Sequence, residues 1–235
     1  MSMMSAGEMK KRRQAIVAKG GSLFSARRWG QGASAVAMAG LLAGCSILPA
    51  PDGEPAHWRL VAPAVEVETD RARSAVAVRL IETRADNAID RRDMAYSRTP
   101  QSLAYYRDNR WIASPAVMLD EIIDEGLTKQ PWVRNVMRGG ARVPTDLALY
   151  CEVQQLEHQL EYVDGRVHLK VACSWYRSDD RALIETLLFD QSVDIPRNDA
   201  AHYAAGAQEL VAAFMTALIR QGRELAAGMN PTTKG

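Results

Sequence analysis

The residue types best suited to nucleophilic or metal chemistry in this chain are three cysteines, Cys45, Cys151 and Cys173, and four histidines, His57, His158, His168 and His202. The histidines are scattered. There is no His-Glu-x-x-His and no paired Cys-x-x-Cys, the spacings that bring ligands together on zinc. There is no Gly-x-Ser-x-Gly elbow and no Walker-type loop ending in Gly-Lys-Ser/Thr. Asp179-Asp180 falls in a turn-like "SDDR" stretch, where two solvated carboxylates need no catalytic reading. The chain is therefore expected to be non-catalytic, with no cofactor and no metal. Cys45 stands apart because of what precedes it. Lys10, Lys11, Arg12, Arg13, Lys19, Arg27 and Arg28 form a basic zone, and an uncharged run follows from Trp29 to Gly44. Basic, then apolar, then small residues is the layout of a secretory signal peptide. The apolar run is short of the roughly 20 residues that a spanning helix needs.

The block Leu42-Ala43-Gly44-Cys45 resembles the lipobox of bacterial lipoproteins. That resemblance implies that the Cys45 sulfur receives a diacylglycerol, that the leader is cut between Gly44 and Cys45, and that the new amino group is acylated. Small residues before the cysteine suit a peptidase that works within the membrane. Two or more acyl chains are needed for stable anchoring, since each buried CH₂ contributes only about 0.8 kcal/mol. Ser46, where lipoproteins retained in the inner membrane tend to carry aspartate, favours the periplasmic face of the outer membrane. The rival reading is a free cysteine that ends an ordinary signal peptide or a membrane anchor. The long basic zone fits either an extended export signal or a later start, for example at Met9.

The expected organisation is a signal peptide over 1–44, a lipidated tether over 45–56, one globular domain over 57–228 and a tail over 229–235. Pro49, Pro51, Gly53 and Pro55 make the tether extended rather than folded. With 47% hydrophobic and 24% charged residues, the chain can bury a sizeable core. Its formal charge of +1 hides an asymmetry. Residues 1–44 hold seven of the 29 Lys and Arg and one of the 28 acids, which leaves 22 basic and 27 acidic residues after the leader. A mildly acidic mature body argues against nucleic acid as a partner and against electrostatic docking on anionic lipid. The membrane is reached through Cys45 instead.

The domain should be α+β, a mostly antiparallel sheet with two main helices packed on one face. Trp58–Val61 and Ser74–Ile81 are candidate strands, the second alternating through Val76, Val78 and Leu80. Ile89–Tyr96 and Ser102–Tyr106 form a hairpin around "SRTPQ". A helix starts at Ser114-Pro115 and lines up Met118, Leu119, Ile122, Ile123 and Leu127, with Pro131 as its stop. In "LALYCEVQQLEHQLEYVDGRVHLKVACSW", Asp164-Gly165 signals a two-residue hairpin turn. With that turn, His158 faces Val171 and His168 faces Glu161, on opposite faces. A bulge near Gln154-Gln155 reconciles the change of apolar phase along the first strand. In that register Cys151 and Cys173 sit about four residues apart, roughly 13 Å, which is too far for a disulfide. Two buried free thiols are expected. A last strand lies within Ala182–Ile195. A long helix capped at Asn198 or Asp199 closes the chain, with an apolar stripe through Tyr203, Ala207, Leu210, Val211, Phe214, Leu218 and Leu225.

Several segments come in a telling order: the lipobox, the tether, "WRL", "RRDMAY", "LAYYRDNRW", a Pro-started helix, "DLALYCEVQQLEHQ", a hairpin and a closing helix. In that order they resemble the ABC-type transport auxiliary lipoprotein component family. The resemblance runs through nearly the whole mature chain and is most specific at "AYYRDNRW" followed by "SP". Here "IASP" follows Arg110-Trp111, a departure from the family pattern. The resemblance implies an accessory of mammalian-cell-entry (MCE) or paraquat-inducible type systems, which move phospholipid or other hydrophobic molecules between the two membranes. The implied partners are an MCE-domain protein, a permease and a separate ATPase, with a homo-oligomer possible. Tyr105, Tyr106, Arg107, Arg110 and Trp111 are the candidate partner surface, since aromatics and Arg are enriched at interface hot spots. The competing reading is that Tyr106 and Trp111 pack the first helix onto the sheet. An envelope assembly lipoprotein that plugs or pilots an outer-membrane β-barrel is the alternative function, and a lipid-anchored hydrolase is the third.

Overall fold

The computed structural model describes residues 53–64, 75–139, 143–160 and 164–229. Cys45, Gly44, the leader, and the tether and tail apart from Gly53–Ala56 and Met229 lie outside the described residues. In chain order the elements are β1 (Ala56–Trp58), β2 (Val76–Leu80), β3 (Arg84–Ala85), β4 (Asp93–Ser97), β5 (Ala104–Trp111), α1 (Pro115–Thr128), β6 (Val133–Arg138), β7 (Leu147–Leu160), β8 (Gly165–Arg177), β9 (Leu183–Ile195) and α2 (Ala200–Gly228). The fold is α+β: one mixed, mostly antiparallel sheet, nine-stranded among the described residues, with both helices on one face.

The long antiparallel ladders β7–β8 and β8–β9 dominate. The parallel pairings of β1 with β5, of β2 with β6 and β7, and of β3 and β4 with β7 join distant parts of the chain. On the helix side, β7 presents Leu147, Leu149, Cys151 and Val153, then Leu156 and His158 after a register shift between Val153 and Gln155. That shift is the expected bulge, and it moves the buried set from odd to even positions. The β4–β5 hairpin also forms, pairing Tyr96 with Ala104. The first strand instead ends at Trp58, and Val61 exchanges two backbone hydrogen bonds with the Gln208 side chain of α2.

The central hairpin closes differently from the sequence expectation. Leu160 pairs with Gly165, so four residues intervene rather than two. His158 therefore faces Val167, not Val171, and His168 faces Glu157, not Glu161. The parity of the register is unchanged, so the same side chains point inward. The slide brings Cys151 opposite Cys173, with Cα atoms 4.1 Å apart, and the two form a disulfide. The expected pair of free thiols is thus corrected. The four-residue slide removes the separation that had seemed to forbid the bond, and a close antiparallel pair sits within bonding reach.

Helix α1 buries Met118, Leu119, Ile122, Ile123 and Leu127 as its spacing requires. Ser114 supplies no side-chain cap, and Pro115 opens the helix where a missing N–H costs nothing. Buried Asp120 fixes this helix: it accepts from the backbone N and Oγ1 of Thr83 and from Arg138. Helix α2 starts at Asp199, whose carboxylate accepts the His202 N–H at 2.9 Å. That bond, together with the His202 side chain, holds the Asp199 carboxyl below its usual range. Phe214 of α2 meets Phe189 of β9 edge to face, with ring centres 5.7 Å apart. Gly222 lets α2 approach the core, since a Cβ there would sit 2.6 Å from the Trp132 ring and 3.0 Å from the Trp175 ring. Each large apolar side chain buried this way contributes about 1.5–3 kcal/mol.

Candidate functional site

Strand β5 carries the five residues that the sequence offered as a partner surface, and the fold separates them. Trp111 is fully buried and packs its ring edge to face with Tyr203 of α2, 5.4 Å between centres. It presents nothing to a partner. Tyr105 is half-buried, donates its hydroxyl to the Ala88 carbonyl at 2.7 Å, and lies under the Arg91 guanidinium. Arg107 and Arg110 stay exposed on the strand, Arg110 near Asp93 at 3.6 Å.

Tyr106 turns inward to a half-buried polar cluster around the buried His158, which sequence reasoning missed. Its hydroxyl lies 2.7 Å from His158 Nδ1, and His158 Nε2 lies 3.2 Å from the Asn198 side-chain oxygen. A carbonyl oxygen at Nε2 requires the imidazole proton there, so Nδ1 accepts from Tyr106. Burial favours the neutral imidazole and lowers the His158 pKa. Burial, with Asp199 nearby, pushes Tyr106 up to about 12. Tyr203 donates to the Leu156 carbonyl and is raised well above its usual range by complete burial. Every hydroxyl and ring nitrogen in this cluster is satisfied in its neutral form. It ties the start of α2 to β7 and β5 and has no activated nucleophile.

The opposite, helix-free face carries a groove of about 740 Å3 that no single stretch of sequence announces. Three separate segments build it: Arg79 and Ile81 at the end of β2, Val143 to Thr145 with Ala148 before and within β7, and Tyr176 to Asp179 with Arg181 around the β8–β9 turn. Ile81 and Val143 are 40% and 41% exposed, although both are apolar. Leu183 pairs with Tyr176 and Leu188 with Ala172, so two more exposed apolar side chains extend the same face along β9. Arg79 donates to the Val143 carbonyl at 2.9 Å, which holds the loop against the sheet. The hydroxyls of Thr145 and Ser178 meet at 2.9 Å and join the two walls. In the turn, Arg177 pairs with Asp180 at 3.0 Å, and Arg181 has a left-handed backbone with φ of 61°. The arrangement can hold a ligand with an apolar body and an acidic end. Among the described residues no group of His, Cys, Asp and Glu is placed to hold a metal, and no helix is long and apolar enough to cross a membrane.

Comparisons with known proteins complete the picture. The model of the family described as ABC-type transport auxiliary lipoprotein component matches residues 58–218. A crystal structure of a Xanthomonas campestris protein shares the fold with a TM-score of 0.66 at 16% identity, over 76% of this chain and 99% of that one. A second crystal structure, of an uncharacterized protein, matches with a TM-score of 0.56 at 9% identity, over 72% of this chain and 98% of that one. At such identities the likeness speaks to fold alone. No curated protein matches the sequence.

Proposed function

The chain belongs to the ABC-type transport auxiliary lipoprotein component family, and we propose from that membership that it is the outer-membrane-anchored accessory of an MCE-type transporter. Such a transporter moves phospholipid or other hydrophobic molecules between the two membranes. The observation that carries this reading is the extent of the family match, which runs from Trp58 into α2 and takes in every strand but the first two residues of β1. In this reading Cys45 is diacylated after cleavage at Gly44-Cys45, and the short tether holds the body close to the inner leaflet of the outer membrane. The body is a non-catalytic binding module. It meets the MCE-domain subunit, while the permease and ATPase lie at the other membrane. Arg107 and Arg110, the two members of the β5 set that stay exposed, are the residues of that set able to reach a partner.

The test is affinity purification of the tagged lipoprotein from membranes cross-linked in the living cell. Recovery of an MCE-domain protein with its permease and ATPase supports the reading. Recovery of an outer-membrane β-barrel without them contradicts it and selects a role in envelope assembly. A tagged Cys45→Ala protein separates anchoring from binding: it should leave the outer-membrane fraction while its purified body still captures the MCE subunit.

A further inference from the structure

Strand β9 forms one edge of the sheet. It pairs with β8 along one side, and among the described residues no strand pairs with the other. An edge strand presents a row of unpaired N–H and C=O groups that another strand can take up. Proteins blunt such edges with short strands, Lys, Pro, bulges or a covering segment. The edges at the far end of this sheet are short: β1 has three residues, and β6 has six, with Arg134 and Arg138 among them. β9 runs for 13 residues with no Lys, Arg, Pro or Gly. Its register with β8 shifts only near its start, beside Trp175 and Tyr176. It also exposes apolar side chains, and Leu188, at 60%, is the most exposed large apolar residue among those described.

Unpaired backbone calls for another extended strand, and the three acids of β9 decide which one fits. Asp190 lies 2.7 Å from His168 Nε2 and 3.2 Å from Lys170 Nζ, and Asp194 lies 2.8 Å from Arg166 Nε. Both carboxylates are thus held toward β8 and away from the open edge. A second, antiparallel β9 suits what remains. With Leu188 on a two-fold axis, Leu187 faces Phe189 of the second copy, Thr186 faces Asp190 and Glu185 faces Gln191. No acid faces an acid, which would be destabilising in directly opposed positions. Leu188 faces its own copy, where opposed Cβ atoms are about 4.5–5.5 Å apart. Facing positions have the same parity, so the helix-bearing faces of the two copies lie on one side of the joined sheet. The seven residues from Glu185 to Gln191 lie clear of the register shift. They supply roughly seven backbone hydrogen bonds, within the roughly 10 ± 5 of a typical interface.

We propose that two copies of this chain join β9 to β9, antiparallel about Leu188, into one continuous sheet. The rival occupant is a strand of another protein, one that carries basic residues against Glu185.

The mature lipoprotein is weighed in dodecyl maltoside by light scattering after size exclusion, with the detergent mass subtracted, over a hundredfold range of concentration. The expected particle holds two chains at the top of the range and one after dilution. Leu188→Lys should raise the dimer dissociation constant at least tenfold. It should keep the thermal midpoint of the dilute protein, because Leu188 is exposed. Register is read by oxidation of single-cysteine variants. Leu188→Cys should cross-link to its own copy, since opposed Cα atoms lie within disulfide reach. Ser192→Cys should not, because eight residues, roughly 26 Å at ~3.3 Å per residue, separate the two Ser192 positions along the strands. One chain per particle at every concentration, more than two chains per particle, an unchanged dissociation constant in Leu188→Lys, or equal cross-linking at both positions would each overturn the proposal. A single chain that gains mass only when the MCE subunit is added would give the edge to that partner's strand, removing the dimer and leaving the accessory role standing.

Discussion

The Cys151–Cys173 bond lends itself to a quantitative test. It closes a loop of 22 residues between two neighbouring strands at the centre of the sheet. Chain-entropy loss for a loop of that length gives about 3 kcal/mol of stabilisation. For a domain of this size each kcal/mol moves the melting midpoint by about 2–4 °C, so loss of the bond should lower Tm by roughly 6–12 °C. Both sulfurs are fully buried, so Cys→Ala variants also lose core packing. Reduction of the unchanged protein removes that complication. The protein is melted with and without dithiothreitol, after unfolding in reductant and refolding under matching conditions. A parallel sample is unfolded without reductant, alkylated and weighed. The expected results are no added alkyl groups on Cys151 or Cys173 in the oxidised sample and a Tm drop of the stated size on reduction. Two alkylated thiols in protein isolated from the outer membrane, or a reduced protein that melts within about 2 °C of the oxidised one, would refute the reasoning.

Other perturbations follow from the same packing. Gly222→Ala places a methyl group against the Trp132 and Trp175 rings and should cost about 1–3 kcal/mol, read as a lower urea midpoint at unchanged slope. Trp111→Ala should cost about 3–5 kcal/mol through the cavity it leaves, whereas Arg107→Ala should stay within about 0.5 kcal/mol and weaken only partner capture. His158 should make stability depend on pH. Its folded pKa lies below the ordinary value near 6.5, so as pH falls through about 6.5 the unfolded chain takes up a proton before the folded one does. Stability should fall in that window by at most about 1.4 kcal/mol per pH unit for the one proton, and His158→Gln should flatten the slope between the unfolded and folded pKa values.

Short-range signals read true in this sequence. Pro115 and the Met118–Leu127 stripe placed α1, and Asp199 with the Tyr203–Leu218 stripe placed α2, because helix contacts repeat locally. The phase change in β7 revealed its bulge before any pairing was known. What failed was the turn. Asp164-Gly165 has the residue types of a two-residue hairpin, yet the ladder closes at Leu160–Gly165. Apolar alternation fixes only the parity of a register, and a slide of four keeps every side chain on its face. Parity alone could not see the disulfide. The parallel pairings of β2 with β6 and β7 have no local signature, since their partners lie tens of residues away. The groove was hidden for the same reason: residues 79–81, 143–148 and 176–181 meet only once those pairings exist. On β5, residue type marked Trp111 as a contact candidate, but an aromatic at the end of a strand serves the core as readily as an interface.

The anchor itself can be measured directly. The protein is isolated from the outer membrane, digested, and its amino-terminal peptide weighed by mass spectrometry. The expected species begins at Cys45, with a diacylglyceryl thioether on the sulfur and an acyl chain on the amino group. A peptide that begins at another residue, or Cys45 with a bare thiol, would contradict the assignment of this chain as a membrane-tethered transport accessory.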